Sequence, residues 1–245
     1  MKICFTSVII WDNAKQADVP KKFERDERYD YHLFTNVDAS KWDTSWDVVK
    51  VDLDFLKDIK KNIVKSRYFK FTGWKYIKEV MGLDYDVIFF CDATRSPDKD
   101  KDWEEFAKKI LESESGIAQR MHVSNPYHEC DRIVKFRKDT VQNAEKTKEW
   151  LKSNGIPEQM KCYENTAFGY SPKNEKLIAT MTEFWEFYKQ NTLTHRDQPI
   201  WSYMLHKNGI EPYVFDTTGN RKIVNKYFPE GGKQGNNSHR YVKNQ

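Results

Sequence analysis

Long apolar runs are missing from this 245-residue sequence, and no segment approaches the length needed to cross a bilayer. The N-terminal MKICFTSVIIWDN is apolar only briefly and has no small-residue cleavage site, so a reducing cytoplasmic compartment is expected. Cysteine is sparse. Cys4, Cys91, Cys130 and Cys162 lie far apart with no C-x-x-C spacing, which excludes a disulfide framework and a structural zinc site. Charge of one sign is also missing: 41 basic and 37 acidic residues are well mixed, leaving a net charge of +4 and no basic stripe of the kind a nucleic-acid binder presents. The 10 glycines and 8 prolines are nowhere dense enough to make a linker, and there is no internal repeat. One domain over residues 1–245 is therefore expected.

Aromatic residues make up 15% of the chain, enough large side chain to build a core despite a charged fraction of 32%. Their pattern reads as alternating strands and helices. Residues 2–10 (KICFTSVII), Tyr31–Thr35 and Asp47–Leu53 have strand character. Phe55 to Met81 turns helical, and Gly73 is expected to divide it into two helices. Asp86–Cys91 (DVIFFC) is continuously apolar, as in a parallel-sheet strand covered on both faces. Helical periodicity returns at Lys101–Leu111, over Asp131–Ser153 as one long helix, at Glu175–Gln190, and from His195 onward. Short strands are expected near Gly116–Arg120, Asn165–Ser171 and Pro212–Phe215. Strand–helix alternation in the first half argues for an α/β sheet. Within that one domain residues 1–120 and 121–245 read as two halves, the alternation being clearest in the first.

In open α/β sheets ligands gather at the carboxyl ends of the parallel strands. Asp92 stands there, at the end of the most apolar strand, followed by Ala93 and Thr94. An aspartate at such a position also serves as a turn cap. Arg67 and Lys70 are three apart on one helical face, suited either to clamping a diphosphate or to forming a solvated basic face. Asp197 and Gln198 open a helix, where a carboxylate meets the dipole; alternatively it is aimed at a reacting sugar. It would act as a general base in an inverting enzyme or as a donor-orienting group in a retaining one. Glu164, with Asn165, is a rival base. Asn125-Pro126-Tyr127, between His122 and His128, is a turn on the acceptor side.

Several segments together resemble a known family. Ser66-Arg67-Tyr68-Phe69-Lys70 and then Tyr85-Asp86-Val87-Ile88-Phe89-Phe90-Cys91-Asp92 resemble a stretch of the glycosyltransferase-like family of plant mucilage-synthesis proteins. The resemblance continues at His128–Ile133, at Phe184-Trp185 and at Arg196-Asp197-Gln198, covering roughly residues 66–205. The first strand and Asp92-Ala93-Thr94 are also similar to small GT-A glycosyltransferases of large algal DNA viruses, which modify capsid glycans in the host cytoplasm. The resemblance implies a GT-A fold, a Rossmann-like and mostly parallel sheet flanked by helices. It also implies a nucleotide-sugar donor, UDP favoured over GDP, and a glycan or glycoprotein acceptor.

In that family an Asp-X-Asp element holds Mn²⁺ or Mg²⁺ against the donor diphosphate; Thr94 replaces its second aspartate here. The roles implied are metal binding at Asp92 and Thr94, donor contact at Arg67, Lys70 and Ala93, and catalysis or donor positioning at Asp197 and Gln198. Thr6 and Ser7 would lie near the base and ribose, with Asn36 and Asp38 against the base and His239 as a late metal ligand. Two other readings stay open on the residues alone: a carboxylate-pair hydrolase using Asp92 and Asp197, and a non-catalytic nucleotide-sugar or glycan-binding module.

Overall fold

The computed structural model describes residues 1–13, 17, 19–20, 22–215, 226–229 and 233–234. The strands are β1 (Ile3–Ile9), β2 (Val19–Pro20), β3 (Asp30–Thr35), β4 (Asp47–Lys50), β5 (Val87–Cys91), β6 (Ile117–Met121), β7 (Tyr163–Tyr170), β8 (Tyr213–Val214) and β9 (Lys233–Gln234). The helices are α1 (Asn62–Glu79), α2 (Trp103–Glu112), α3 (Pro126–Lys135), α4 (Val141–Ser153), α5 (Glu175–Tyr188) and α6 (Asp197–Lys207).

Seven strands form one sheet in the order β4-β3-β1-β5-β7-β6-β8, and β2 pairs antiparallel with β9. β4, β3, β1 and β5 are mutually parallel; β7 alone is antiparallel to its neighbours, and β8 is parallel to β6. The fold is the expected mixed α/β domain with a mostly parallel, Rossmann-like sheet. Chain order reverses at β1, which has β3 on one side and β5 on the other. Such a switch point opens a crevice beyond the carboxyl ends of the strands.

Every residue of β5 is buried. Ile88 and Phe90 face one apolar cluster, with Phe34 of β3 and Phe71, Phe184 and Trp201 of the α1, α5 and α6 layer. Val87, Phe89 and Cys91 face the other, with Phe5, Trp103, Phe106 and Ile110. That two-sided covering is what its unbroken apolar run anticipates. β7 approaches α2 so closely that a Cβ on Gly169 would lie 2.5 Å from the Phe89 ring and 2.7 Å from Ile110 Cδ1. Gly169→Ala is expected to cost about 1–3 kcal/mol by overpacking, read as a melting temperature lower by several degrees; an unshifted melting curve would show that the layers can part.

Three local expectations are corrected. α1 is continuous through Gly73, since burial of Phe69, Phe71 and Ile77 outweighs the roughly 1 kcal/mol helix penalty of one glycine. The helix expected over 131–153 is two helices, α3 and α4. Asn125 and Thr140 cap them by accepting from the backbone N–H of His128 and Asn143. Between them Arg137 has φ 52°, a left-handed backbone that ends α3. β4 stops at Lys50, short of the Leu53 expected. All four cysteines are free, and all four are buried. Among the described residues no helix is long and apolar enough to cross a membrane.

Candidate functional site

At the crevice β5 ends in Asp92, whose backbone N–H donates to Thr166 O at 2.8 Å and whose carbonyl accepts from Arg95 N at 2.8 Å. This turn aims the Asp92 side chain, 40% exposed, off the end of the sheet. α1 packs along the same face of the sheet and brings Arg67 and Lys70 to the same point. The Lys70 ammonium, 3% exposed, lies 3.4 Å from Asp92 Oδ1 and 3.2 Å from Asp197 Oδ2. It also rests 5.0 Å from the centre of the Phe90 ring, a cation–π contact. Arg67 Nε is 2.7 Å from Asp197 Oδ2. Four residues from three distant segments thus form one charged chain: Asp92, Lys70, Asp197 and Arg67.

Asp197 is 2% exposed and opens α6. Its carboxylate is turned onto α1, and the residue before it, Arg196, makes no side-chain cap. Burial alone would raise its pKa, but Arg67, Lys70 and Arg196 outweigh that and hold the carboxyl well below its ordinary range. Burial likewise opposes the charge on Arg67, and the carboxylates of Asp197 and Asp92 more than offset it, raising its pKa. Asp197 is consequently an ionised group of low basicity. It is badly suited to donate a proton, as one member of a hydrolytic carboxylate pair must, or to abstract one. It is well suited to hold the cations of α1 in place. Gln198 follows it, 9% exposed.

The segment leading into α6 is bolted down from outside. Asp139 accepts from Thr194 Oγ1 at 2.8 Å and from the His195 backbone N–H at 2.9 Å, and lies 2.9 Å from His195 Nδ1. Tyr188 donates its hydroxyl to the His195 carbonyl. No local pattern signals this bracket, because Asp139 and His195 are joined only by the tertiary fold. Further along the crevice Glu164, at the start of β7, pairs with Arg120 of β6 at 3.1 Å. Ser124 donates to Glu129 at 3.2 Å and sits 2.7 Å from His122 Nδ1, while Glu129 also pairs with Arg132 at 3.2 Å.

Other expected donor contacts sit elsewhere. Thr6 and Ser7 are 3% and 0% exposed in the middle of β1, because the strand runs on to Ile9; Thr6 donates its hydroxyl to Phe89 O at 3.4 Å. The rim at that strand is Ile10 and Trp11. Asn36 latches this rim: its Nδ2 donates to Trp11 O at 2.8 Å and its Oδ1 accepts from Trp11 N at 3.0 Å. Asp38 accepts from Ser40 N at 3.0 Å in an exposed turn beyond β3. Ala93 and Thr94 are half-buried in the turn after Asp92. His239 lies outside the described residues.

Among the described residues no three His, Cys, Asp or Glu side chains gather as a metal cage. What the crevice offers a divalent ion is one accessible hard-oxygen ligand, Asp92. That donor set fits an ion completed by substrate phosphates and water, the habit of Mg²⁺, rather than a preformed protein site.

No family model matches the chain, and no curated protein matches it. Among solved structures it is similar to the galactosyltransferase LgtC in complex with donor and acceptor sugar analogs, at 10% sequence identity and a TM-score of 0.43. The likeness covers 87% of this chain and 73% of that one, and no residue role is carried across from it.

Proposed function

We propose that the chain transfers a sugar from a nucleoside diphosphate donor, UDP favoured over GDP, to a glycan or glycoprotein acceptor. The observation that supports this most is the convergence of Arg67, Lys70, Asp92 and Asp197 at the switch-point crevice. In such a transfer the bond from the anomeric carbon to the diphosphate oxygen breaks and its electron pair leaves with the phosphate. A bond to the acceptor oxygen forms, and the acceptor proton passes to the leaving phosphate oxygen that has gained the electron pair. Lys70 and Arg67 face the growing negative charge from a largely dry wall, where fixed cations act most strongly. Asp197, ionised and weakly basic, orients the donor sugar, the role tied to retention of configuration. A divalent ion would be held by Asp92, with Thr94 through its hydroxyl or a water, and would add charge stabilisation at the leaving diphosphate.

The test is a thermal-shift panel of UDP, GDP and their sugars, each with and without Mn²⁺. A ligand at 100 times its Kd adds about 2.7 kcal/mol, a shift of roughly 5–10 °C in a chain of this size. UDP with Mn²⁺ is expected to shift the melting curve and Mn²⁺ alone to leave it in place, because the protein supplies so few ligands. A flat panel, or an undiminished metal-dependent shift in Asp92→Ala, would overturn the assignment.

A further inference from the structure

The link between α3 and α4, residues 136–140, is held in a conformation the chain does not adopt readily. Arg137 has φ 52°, a left-handed backbone for a residue with a Cβ, and such strain persists where surrounding contacts impose it. Asp139 supplies them: its carboxylate, 3% exposed, accepts from Thr194 and His195, and its other oxygen accepts from Asn143 Nδ2 at 2.9 Å. Burial opposes ionisation of Asp139, but these donors hold its carboxyl well below the usual range. The link is thereby clamped to the residues just before Asp197.

Two side chains of this link, Phe136 and Lys138, lie together at its surface. Phe136 leaves 45% of its surface exposed, with Arg132 Cζ 5.5 Å and Lys138 Nζ 5.8 Å from the ring centre. Lys138 is half-buried and has no carboxylate within ion-pair distance among the described residues. Burial and the neighbouring Arg196 guanidinium push its pKa down. Arg196 is the residue between His195 and Asp197, and its Nε is buried with no hydrogen-bond partner. The nearby carboxylates are already engaged: Glu129 with Arg132, Asp197 with Arg67 and Lys70. Two neighbouring cations with no carboxylate within ion-pair distance among the described residues, beside an exposed ring and next to the proposed reaction centre, form a receptor for an anion carried on a sugar.

We infer that Phe136, Lys138 and Arg196 form a binding subsite for an anionic sugar, its C–H face on the Phe136 ring and its carboxylate or phosphate between the two cations. As the acceptor subsite it rests on the transferase reading; as a binding site it does not. The substrate class it selects is an acidic glycan, bearing uronate or phosphate groups.

The test uses the full chain without nucleotide, titrated with a glucuronate-containing disaccharide, glucose 6-phosphate and the neutral disaccharide, followed by protein NMR shifts at low salt. The wild type is expected to bind one of the acidic probes at least tenfold more tightly than the neutral disaccharide; which of them identifies the anion. Lys138→Gln should bring acidic and neutral affinities within about twofold, and Phe136→Ala should weaken both. Affinity for UDP should be unchanged in both variants. Equal binding of acidic and neutral sugars by the wild type would overturn the proposal, as would an acid preference surviving Lys138→Gln. An equal loss of UDP affinity in Lys138→Gln would instead assign these cations to the donor phosphates. Should Lys138→Gln not fold, the exposed Phe136→Ala variant decides, since unchanged sugar affinity there removes the platform. Acid-selective binding beside a flat UDP titration would leave the subsite standing and the transferase reading overturned.

Discussion

Replacing Asp197 with asparagine should abolish the proposed sugar transfer and lower the melting temperature by about 10 °C. The carboxylate is the shared counter-charge of Arg67 and Lys70, both almost fully buried. Removing one partner from a buried ion pair leaves an uncompensated charge and costs roughly 3–5 kcal/mol. In a protein of this size each kcal/mol shifts the midpoint by about 2–4 °C. The pH dependence supplies a sharper check. The Asp197 pKa is depressed in the folded state, so its contribution is fully present above the ordinary aspartate value of about 3.9 and is lost as pH falls through the folded pKa. The stability gap between wild type and Asp197→Asn should therefore stay constant from neutral pH down to about 4 and narrow below it. A gap that vanishes nearer neutrality would mean that Asp197 is not held ionised by its cations. Combining Asp197→Leu with Arg67→Met and Lys70→Met should recover stability without activity, because a packed apolar cluster replaces the carboxylate and both of its buried cations.

The second large effect is expected from Lys70→Met. Lys70 touches both carboxylates of the chain, and its loss sets Asp92 and Asp197 against each other where the donor phosphates should lie. A hydrogen bond to a charged group contributes about 1.5–3 kcal/mol, so UDP affinity should fall by roughly 10- to 100-fold. Lys70→Arg is not expected to restore it, because the compact ammonium sits over the Phe90 ring with 3% exposure, where a planar guanidinium has no room. Calorimetric titration with UDP measures this directly. Equal affinity in wild type and Lys70→Met would remove Lys70 from the donor site and leave it a structural ion bridge.

Much of this was legible in the residues. The apolar DVIFFC run pointed to a strand buried on both faces, and β5 is one, with the half-exposed Asp92 directly after it. Arg67 and Lys70 were readable as one face of one helix because that spacing is local. Elsewhere local reading misled. Gly73 signals a break that tertiary packing overrides, and a pattern that runs helical through 131–153 hides the left-handed turn at Arg137. Thr6 and Ser7 take their expected place near base and ribose from the resemblance alone; they lie inside the strand expected over residues 2–10, and the sheet buries them.

What the sequence by itself determined is therefore the alternation that makes an α/β sheet, the strand whose end forms the site, and the residue types gathered there. Only the tertiary structure decided who meets whom. Asp197 reads in sequence as a helix-opening carboxylate and in space as the counter-ion of α1, and Asp139 becomes the bracket of His195 although 55 residues lie between them. Periodicity and propensity act over a few residues of chain, whereas a buried ion pair is made by layers packing across a sheet. The charge state of Asp197 follows from that packing, because the same carboxylate in water would have neither its cations nor its depressed pKa.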